Sequence, residues 1–368
     1  MSNPAVSVVM IVCNYERFLA EAIDSILGQT FRDFEFIIVD YGSTDGSKSI
    51  ASTFAAKDSR IKLHEVPNCS LPKARNAGCF LAHGKYIAII DADDISLPER
   101  LMWEVEFMEK HPEVGLLGGA REWFDSKGRS LFVPGEPTED NAIRAALVVR
   151  CPISQTTVLI RSEAFSLVGG YRAPFLQAED YDLFLRISEH FQCANLEQVV
   201  ARFRVHGHQV SIAKHSQQAL CGLAARMSSS SRRAGKPDPI NSVEEVTPAL
   251  LAQLGVSAAT LQTALASRCC QWVRNMCLAG EYSVALEAAV EFLHSSDLAH
   301  AERRLIADLW LVAAGLHWRQ RNFFSSLLAL TCGVMARPVV VGRPLKRLLE
   351  RIELLWRRRA ADISGQAA

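Results

Sequence analysis

The run IAIIDADDISLPERL puts Asp91, Asp93 and Asp94 where an apolar stretch stops. Carboxylates crowded in this way repel one another unless a cation lies between them. Such an oxygen-rich cluster suits Mg²⁺ or Mn²⁺, usually shared with the phosphates of a substrate. The same residues also fit a helix start: Asp94 or Ser96 can cap a helix opening at Pro98, with Glu99 favourable in its first turn. A cap needs one residue and the cluster has three, so both readings stand together. A second acidic group, Glu179, Asp180 and Asp182, opens the apolar segment AEDYDLFLRISEHF. Acids at a helix head offset its dipole by about 0.3 to 1 kcal/mol each. A carboxylate held there can equally serve as a general base. Third, RFRVHGHQVS brings Arg202, Arg204, His206 and His208 close together. A lone His is usually structural, whereas alternating Arg and His can neutralise a departing diphosphate or ligate metal.

The elements that must position these groups alternate along the first half of the chain. VSVVMIV, FEFIIVD and KYIAIID read as strands buried on both faces. Amphipathic stretches between them carry apolar residues at helical spacing, as with Leu19, Ile23, Ile26 and Leu27. Strand and helix in alternation predict a parallel sheet with helices on both sides. In such sheets ligands bind beyond the carboxyl ends of the strands, where Asn14, Asp40 and Asp91 to Asp94 stand. Past residue 215 the character changes. MSSSSRRAGKPDPINS reads as a linker or mobile loop, and Ala- and Leu-rich amphipathic segments follow. The expected division is therefore 1–215 as an α/β domain, 216–242 as a linker, and 243–368 as a smaller α-helical module. Within the last, GEYSVALEAAVEFL loosely matches RNFFSSLLALTCGV at an offset of 41 residues. That fits either a helical-hairpin repeat or ordinary helices sharing an Ala/Leu bias.

The chain has 368 residues, 49% of them hydrophobic, enough for packed cores and against wholesale disorder. Lys plus Arg equals Asp plus Glu at 40 each, which argues against a partner such as nucleic acid. No apolar run has the roughly 18 residues that span a bilayer, and the start lacks signal-peptide features. Ten scattered cysteines without a C-x-x-C pair read as reduced thiols of a cytoplasmic protein. Arg337 to Arg359 is basic and amphipathic. It fits peripheral contact with an anionic inner membrane surface, or a solvated helix face.

Together these segments resemble glycosyltransferase family 2, whose members have the GT-A fold, a Rossmann-like mixed, mostly parallel sheet flanked by helices. The resemblance covers about Val6 to Ser211. VSVVMIVCNYERFLAEAIDSILGQTFRDFEFIIVDYGSTDGS is similar to the nucleotide-binding half, and LPKARNAGCFLAHGKYIAIIDADDISLPERL to the segment leading through the D-x-D motif. CPISQTTVLIRSEAFSLVGGYR and AEDYDLFLRI resemble the acceptor-side region and the E-D motif, and RFRVHGHQVS the closing R-x-H segment. The resemblance implies Asp93 as direct metal ligand, Asp91 toward the ribose or the metal's water shell, and His206 near the diphosphate or metal. It implies Asp180 as general base and Glu179 near the donor sugar. Asn14, Asp40, Tyr41 and Arg75 then fall on the donor-binding side. The activity implied is inverting transfer of one sugar from a nucleotide-diphosphate sugar to an acceptor hydroxyl, oligosaccharide, lipid-linked or other, with Mn²⁺ or Mg²⁺, in cell-surface polysaccharide or glycoconjugate synthesis.

Two positions depart from the family pattern, both where the nucleobase should sit. Cys13 stands where a base-stacking Tyr is usual, and Tyr41 where an acidic residue is usual. Tyr41 can supply the stacking from the opposite wall, or pack in its own turn. A binding or scaffold protein with a retired transferase domain is the alternative these departures leave open. A sugar nucleotidyltransferase would need a Gly-rich loop after the first strand, and CNYERF contains no glycine. The Q-x-x-R-W motif of processive members is absent, since QWVR at Gln271 lacks its order.

Overall fold

A computed structural model describes residues 3–207, 215–294 and 298–337. The sheet begins with β1 (Val6–Val12), β2 (Phe34–Asp40), β3 (Ile61–Glu65) and β4 (Tyr86–Asp91). It continues through β5 (Ile95–Ser96), β6 (Val114–Asp125), β7 (Ser130–Phe132), β8 (Leu159–Arg161) and β9 (Gln192–Val205). Its order is β3-β2-β1-β4-β8-β6-β9-β5, with β7 on β6. Parallel pairing joins β3, β2, β1 and β4, as the apolar runs predicted. The mixture arises at β8, which is antiparallel to both β4 and β6, while β6 and β9 run parallel. The β1 and β2 side chains are all buried, because helices cover both faces.

Four helices follow the strands early in the chain: α1 (Leu19–Leu27), α2 (Ser47–Ala55), α3 (Leu71–Phe80) and α4 (Arg100–Lys110). Helix α3 lies close on the sheet. A Cβ at Gly78 would come within 2.6 Å of the Val9 side chain and 3.0 Å of Val39. Glycine there lets the helix approach, and that approach carries Arg75, one turn earlier, to the strand ends. Then come α5 (Asp140–Leu147), α6 (Ser162–Leu167) and α7 (Glu179–Ser188). All ten cysteines are free thiols.

Residues 216–242, expected as a linker or mobile loop, are helical over more than half their length. Helix α8 (His215–Arg233) and α9 (Pro248–Gln253) lie within a compact unit formed by Met1–Val256 and Leu278–Gly280. The first two serines of the run that suggested a linker, Ser228 and Ser229, are buried and bonded. Ser228 donates to Asp238 at 2.6 Å, and Ser229 to Glu189 at 3.1 Å. Arg172 and Arg232 complete this network on Asp238 and Glu189. Burial with partners, not composition, decided the structure of this stretch.

The second unit comprises Ser257–Cys277 and Glu281–Ala368. Its described helices are α10 (Ala258–Ala279), α11 (Tyr282–His294), α12 (Arg303–Arg319) and α13 (Phe323–Ala336). The two matching sequence segments fall on α11 and α13, and their leading turns coincide as well. Gly280 and Arg321 both have positive φ, at 83° and 62°. Glu281 N donates to Met276 O, and Asn322 N to His317 O, both at 2.9 Å. This is one helix-ending turn used twice, which favours the hairpin repeat over a shared composition. Arg321 bears the Cβ strain that Gly280 avoids. Arg321→Gly is therefore expected to stabilise the unit by about 1 kcal/mol or less, read by urea unfolding. An unchanged or lower midpoint would count against the shared turn.

Candidate active site

Arg75 joins the two acidic groups that the sequence places far apart. It is buried on α3, between the end of β4 and the start of α7. Its Nε donates to Glu179 Oε1 at 2.9 Å and its second terminal nitrogen to Asp91 Oδ1 at 3.1 Å. The remaining terminal nitrogen is buried with no hydrogen-bond partner. Burial, against the downward pull of Arg75 and with a further push from Asp180, leaves the Glu179 carboxyl raised to about 7. The Asp91 side chain is 31% exposed, so part of it faces outward from the junction.

Beside this junction lies the rest of the D-x-D cluster. Asp93 is buried, and its Oδ2 meets His206 Nε2 at 3.0 Å. The imidazole packs against Phe18, with ring centroids 4.6 Å apart. Arg204 fixes the turn from the far end of β9. Its backbone N–H donates to Asp94 Oδ1 and its Nε to the Asp93 carbonyl, both at 2.8 Å. Asp94 thus closes a turn and is fully buried, with its carboxyl pushed well up by burial and by Asp93 and Asp91. Among the described residues no three His, Cys, Asp or Glu side chains form a ready metal-ligand set. Asp93 and His206 still offer a carboxylate and an imidazole in contact. That donor pair suits Mn²⁺ or Mg²⁺ when phosphates and water complete the shell.

Helix α7 gives its three acids different surroundings. Asp180 is turned about 100° from Glu179, while Asp182 lies one turn on, close to the face of Glu179 but with partners of its own. Asp182 is fully buried in ion pairs with Arg172 and Arg186. Asp180 is half-buried, and its Oδ1 accepts the Tyr181 N–H at 2.7 Å. The cluster therefore contains one structural carboxylate, one held by Arg75, and one closer to solvent.

On the expected nucleoside side, Asp40 Oδ1 accepts the N–H groups of Gly42 and Ser43, each at 3.0 Å, while its Oδ2 is buried without a partner. Asn14 clasps the neighbouring loop, with positive φ and Oδ1 accepting Thr44 N–H at 2.8 Å. The half-buried Tyr41 is pushed up to about 12, mainly by burial and then by Cys13; Arg75 opposes and Glu179 adds to the shift. Its phenol thus belongs to the same neighbourhood as the Arg75 junction.

Several site residues escaped the sequence reading. Tyr15 follows Asn14 directly, and burial together with Asp93, Asp91 and Tyr41 pushes its phenol well up. The signal was present: an aromatic residue displaced two positions from the family's tyrosine. Thr156 Oγ1 accepts Asp91 N–H at 3.3 Å, and the Tyr171 ring lies 6.0 Å from the Arg75 guanidinium. His208 and the rest of RFRVHGHQVS beyond Gly207 lie outside the described residues, as does the basic segment from 338 onward.

A family model described as glycosyl transferase family 2 matches residues 7–162. EpsE of Bacillus subtilis, named as a glycosyltransferase, is 37% identical over 210 residues, covering 55% of this chain and 74% of that protein. The amylovoran biosynthesis glycosyltransferase AmsE of Erwinia amylovora is 32% identical over 195 residues, covering 52% and 73%. Among solved structures, S. aureus TarS 1–349 in complex with UDP-GlcNAc superposes with a TM-score of 0.51 at 17% identity, over 89% of this chain and 90% of that one. The mannosyltransferase PcManGT from Pyrobaculum calidifontis, solved with GDP-Man and Mn²⁺, gives 0.50 at 19%, over 91% and 87%. At such identities these structures establish the likeness of fold alone.

Proposed function

The chain belongs to glycosyl transferase family 2 and is a glycosyltransferase, and from that premise we propose inverting transfer of a single sugar from a nucleotide-diphosphate sugar to an acceptor hydroxyl. The observation that carries this reading is the Arg75 bridge, which brings Asp91 and Glu179 to one cation beside the Asp93–His206 pair. Convergence of the D-x-D and E-D acids at one site is what displacement at an anomeric carbon requires. One group must bind the leaving diphosphate and another must take a proton on the opposite side.

In this scheme Asp93 and His206 hold a divalent cation, Mn²⁺ or Mg²⁺, which supplies charge neutralisation at the diphosphate. Asp180 takes the proton from the acceptor hydroxyl as it attacks. Arg75 keeps Glu179 and Asp91 oriented toward the donor, with one N–H still available to it. Tyr41 stacks the nucleobase, and the buried Asp40 Oδ2 offers the base an acceptor. The absence of processive motifs supports single addition, and AmsE's printed role supports polysaccharide biosynthesis as the setting. No described helix is long and apolar enough to cross a membrane. Peripheral membrane contact through 337–359 remains part of the proposal, supported by eight Lys and Arg against two Glu there.

The test is thermal unfolding with UDP or GDP, each with and without Mn²⁺. One nucleotide is expected to raise the midpoint only when Mn²⁺ is present, by the equivalent of about 2.7 kcal/mol at 100 times Kd. Asp93→Ala should remove the Mn²⁺-dependent part. Stabilisation that is indifferent to Mn²⁺, or that survives Asp93→Ala, rejects the assigned metal site.

A further inference from the structure

Arg121 on β6 has no role in the scheme above, yet it lies within the same site. Its guanidinium stands over the rings of Trp123 and Phe203, 5.7 and 5.8 Å from their centroids. Its Nε and the Trp123 Nε1 are both buried without hydrogen-bond partners. The carboxylate that weighs most on it, Glu136, is ion-paired with Arg150, and Asp94 is already bonded to Arg204 N–H. A half-buried cation whose Nε is buried and unspent, beside an indole with an unspent donor, is costly unless something fills the space.

The surroundings fix which side of the site this is. The Cys151 thiol, which donates to Ile153 O, is held up by burial and by Asp180 and is opposed by Arg121. Arg121 pairs with Ala201 on β9, and Ala201 with Ser96 on β5, so Arg121 stands beside the strand that follows the D-x-D turn, and it shares Cys151 as a neighbour with the proposed base Asp180. The acceptor hydroxyl must arrive at that base. The Trp123 ring is stacked on Phe132, so what it offers a ligand is its unspent indole N–H, and a guanidinium matches carboxylate or phosphate oxygens in bidentate fashion.

We propose that Arg121, with Trp123 beside it, recognises the acceptor and selects one bearing an anionic oxygen group, a carboxylate or a phosphate, near the hydroxyl that receives the sugar. This deepens the transferase reading and rests on it. Arg121 is a specificity residue here, since the reacting atoms are handled by other groups.

The experiment is calorimetric titration of the full chain, saturated with Mn²⁺ and the nucleotide that raised its midpoint. Two probe pairs are used: methyl β-glucuronide against methyl β-glucoside, and glycerol 3-phosphate against glycerol. At least one anionic probe is expected to bind about tenfold or more tightly than its neutral partner, and the pair that discriminates identifies the group. Arg121→Gln should bring that ratio to about one and Arg121→Lys should keep part of it, with nucleotide affinity unchanged in both. Equal binding of charged and neutral probes by the wild type overturns the proposal without recourse to any variant. So does a ratio that survives Arg121→Gln. Loss of nucleotide affinity in Arg121→Gln would assign the residue to the donor phosphates instead. A wild type that binds neither UDP nor GDP rejects the proposed uridine- or guanosine-diphosphate donor, a result separate from these.

Discussion

Asp180→Asn is expected to lower sugar transfer by about 10²- to 10⁴-fold, the usual contribution of a positioned general base. Stabilisation by nucleotide and Mn²⁺ should persist. The substitution preserves shape and can still accept the Tyr181 N–H that Asp180 Oδ1 receives at 2.7 Å, so the head of α7 has no reason to unravel. The neighbours do not share the role. Glu179 is buried against Arg75, and Asp182 is buried against Arg172 and Arg186, whereas Asp180 is half-exposed. Removing a base that acts on the acceptor alone lowers kcat without touching donor affinity. Matched loss of nucleotide stabilisation would make Asp180 a donor ligand, and near-normal transfer would remove it from the chemistry.

The parts of this site that could be read from sequence are those where chemistry and local pattern coincide. Asp91 and Asp93 end an apolar run, and Glu179 and Asp180 begin one, so strand end and helix head were visible together with their acids. The bridge between them was not. Arg75 meets Glu179 across 104 positions, and no local periodicity encodes a contact of that separation. The parallel half of the sheet was legible because β1 and β2 are buried on both faces and therefore continuously apolar. The mixed half was hidden by the short antiparallel β8, whose three residues carry no pattern of their own.

One misreading and one omission have the same origin. The serine run in α8 looked like a linker because composition does not reveal partners, and Ser228 and Ser229 owe their burial to Asp238 and Glu189. Arg121 was not singled out from the sequence at all. Its unspent donors became visible only once Trp123, Phe203 and Glu136 were assembled around it. In both cases the deciding quantity is how fully a buried polar group is satisfied, which belongs to the fold as a whole.

Arg75→Met should be the most destabilising single change in the site, and its cost should depend on pH with a definite sign. Taking one partner from a buried ion cluster typically costs about 3 to 5 kcal/mol, because the carboxylates left behind are neither solvated nor paired. Methionine keeps the volume on α3, so the loss reports charge more than packing. Burial already pushes Glu179 up to about 7 with Arg75 in place. An acid whose folded pKa lies above its unfolded value of about 4.3 binds more protons when folded. Stability therefore falls as pH rises between those two values. In the wild type that decline ends near pH 7, where Glu179 ionises against Arg75. Without the guanidinium the carboxyl titrates higher, and the decline continues past pH 7 at about 1.4 kcal/mol per unit. The gap between wild type and Arg75→Met should thus be flat in mildly acidic buffer and widen in alkaline buffer. Urea unfolding at pH 6 and pH 8.5 measures both. A gap that stays constant or narrows at pH 8.5 would mean that Arg75 does not hold Glu179 in its charged form, and the bridge would lose its electrostatic role.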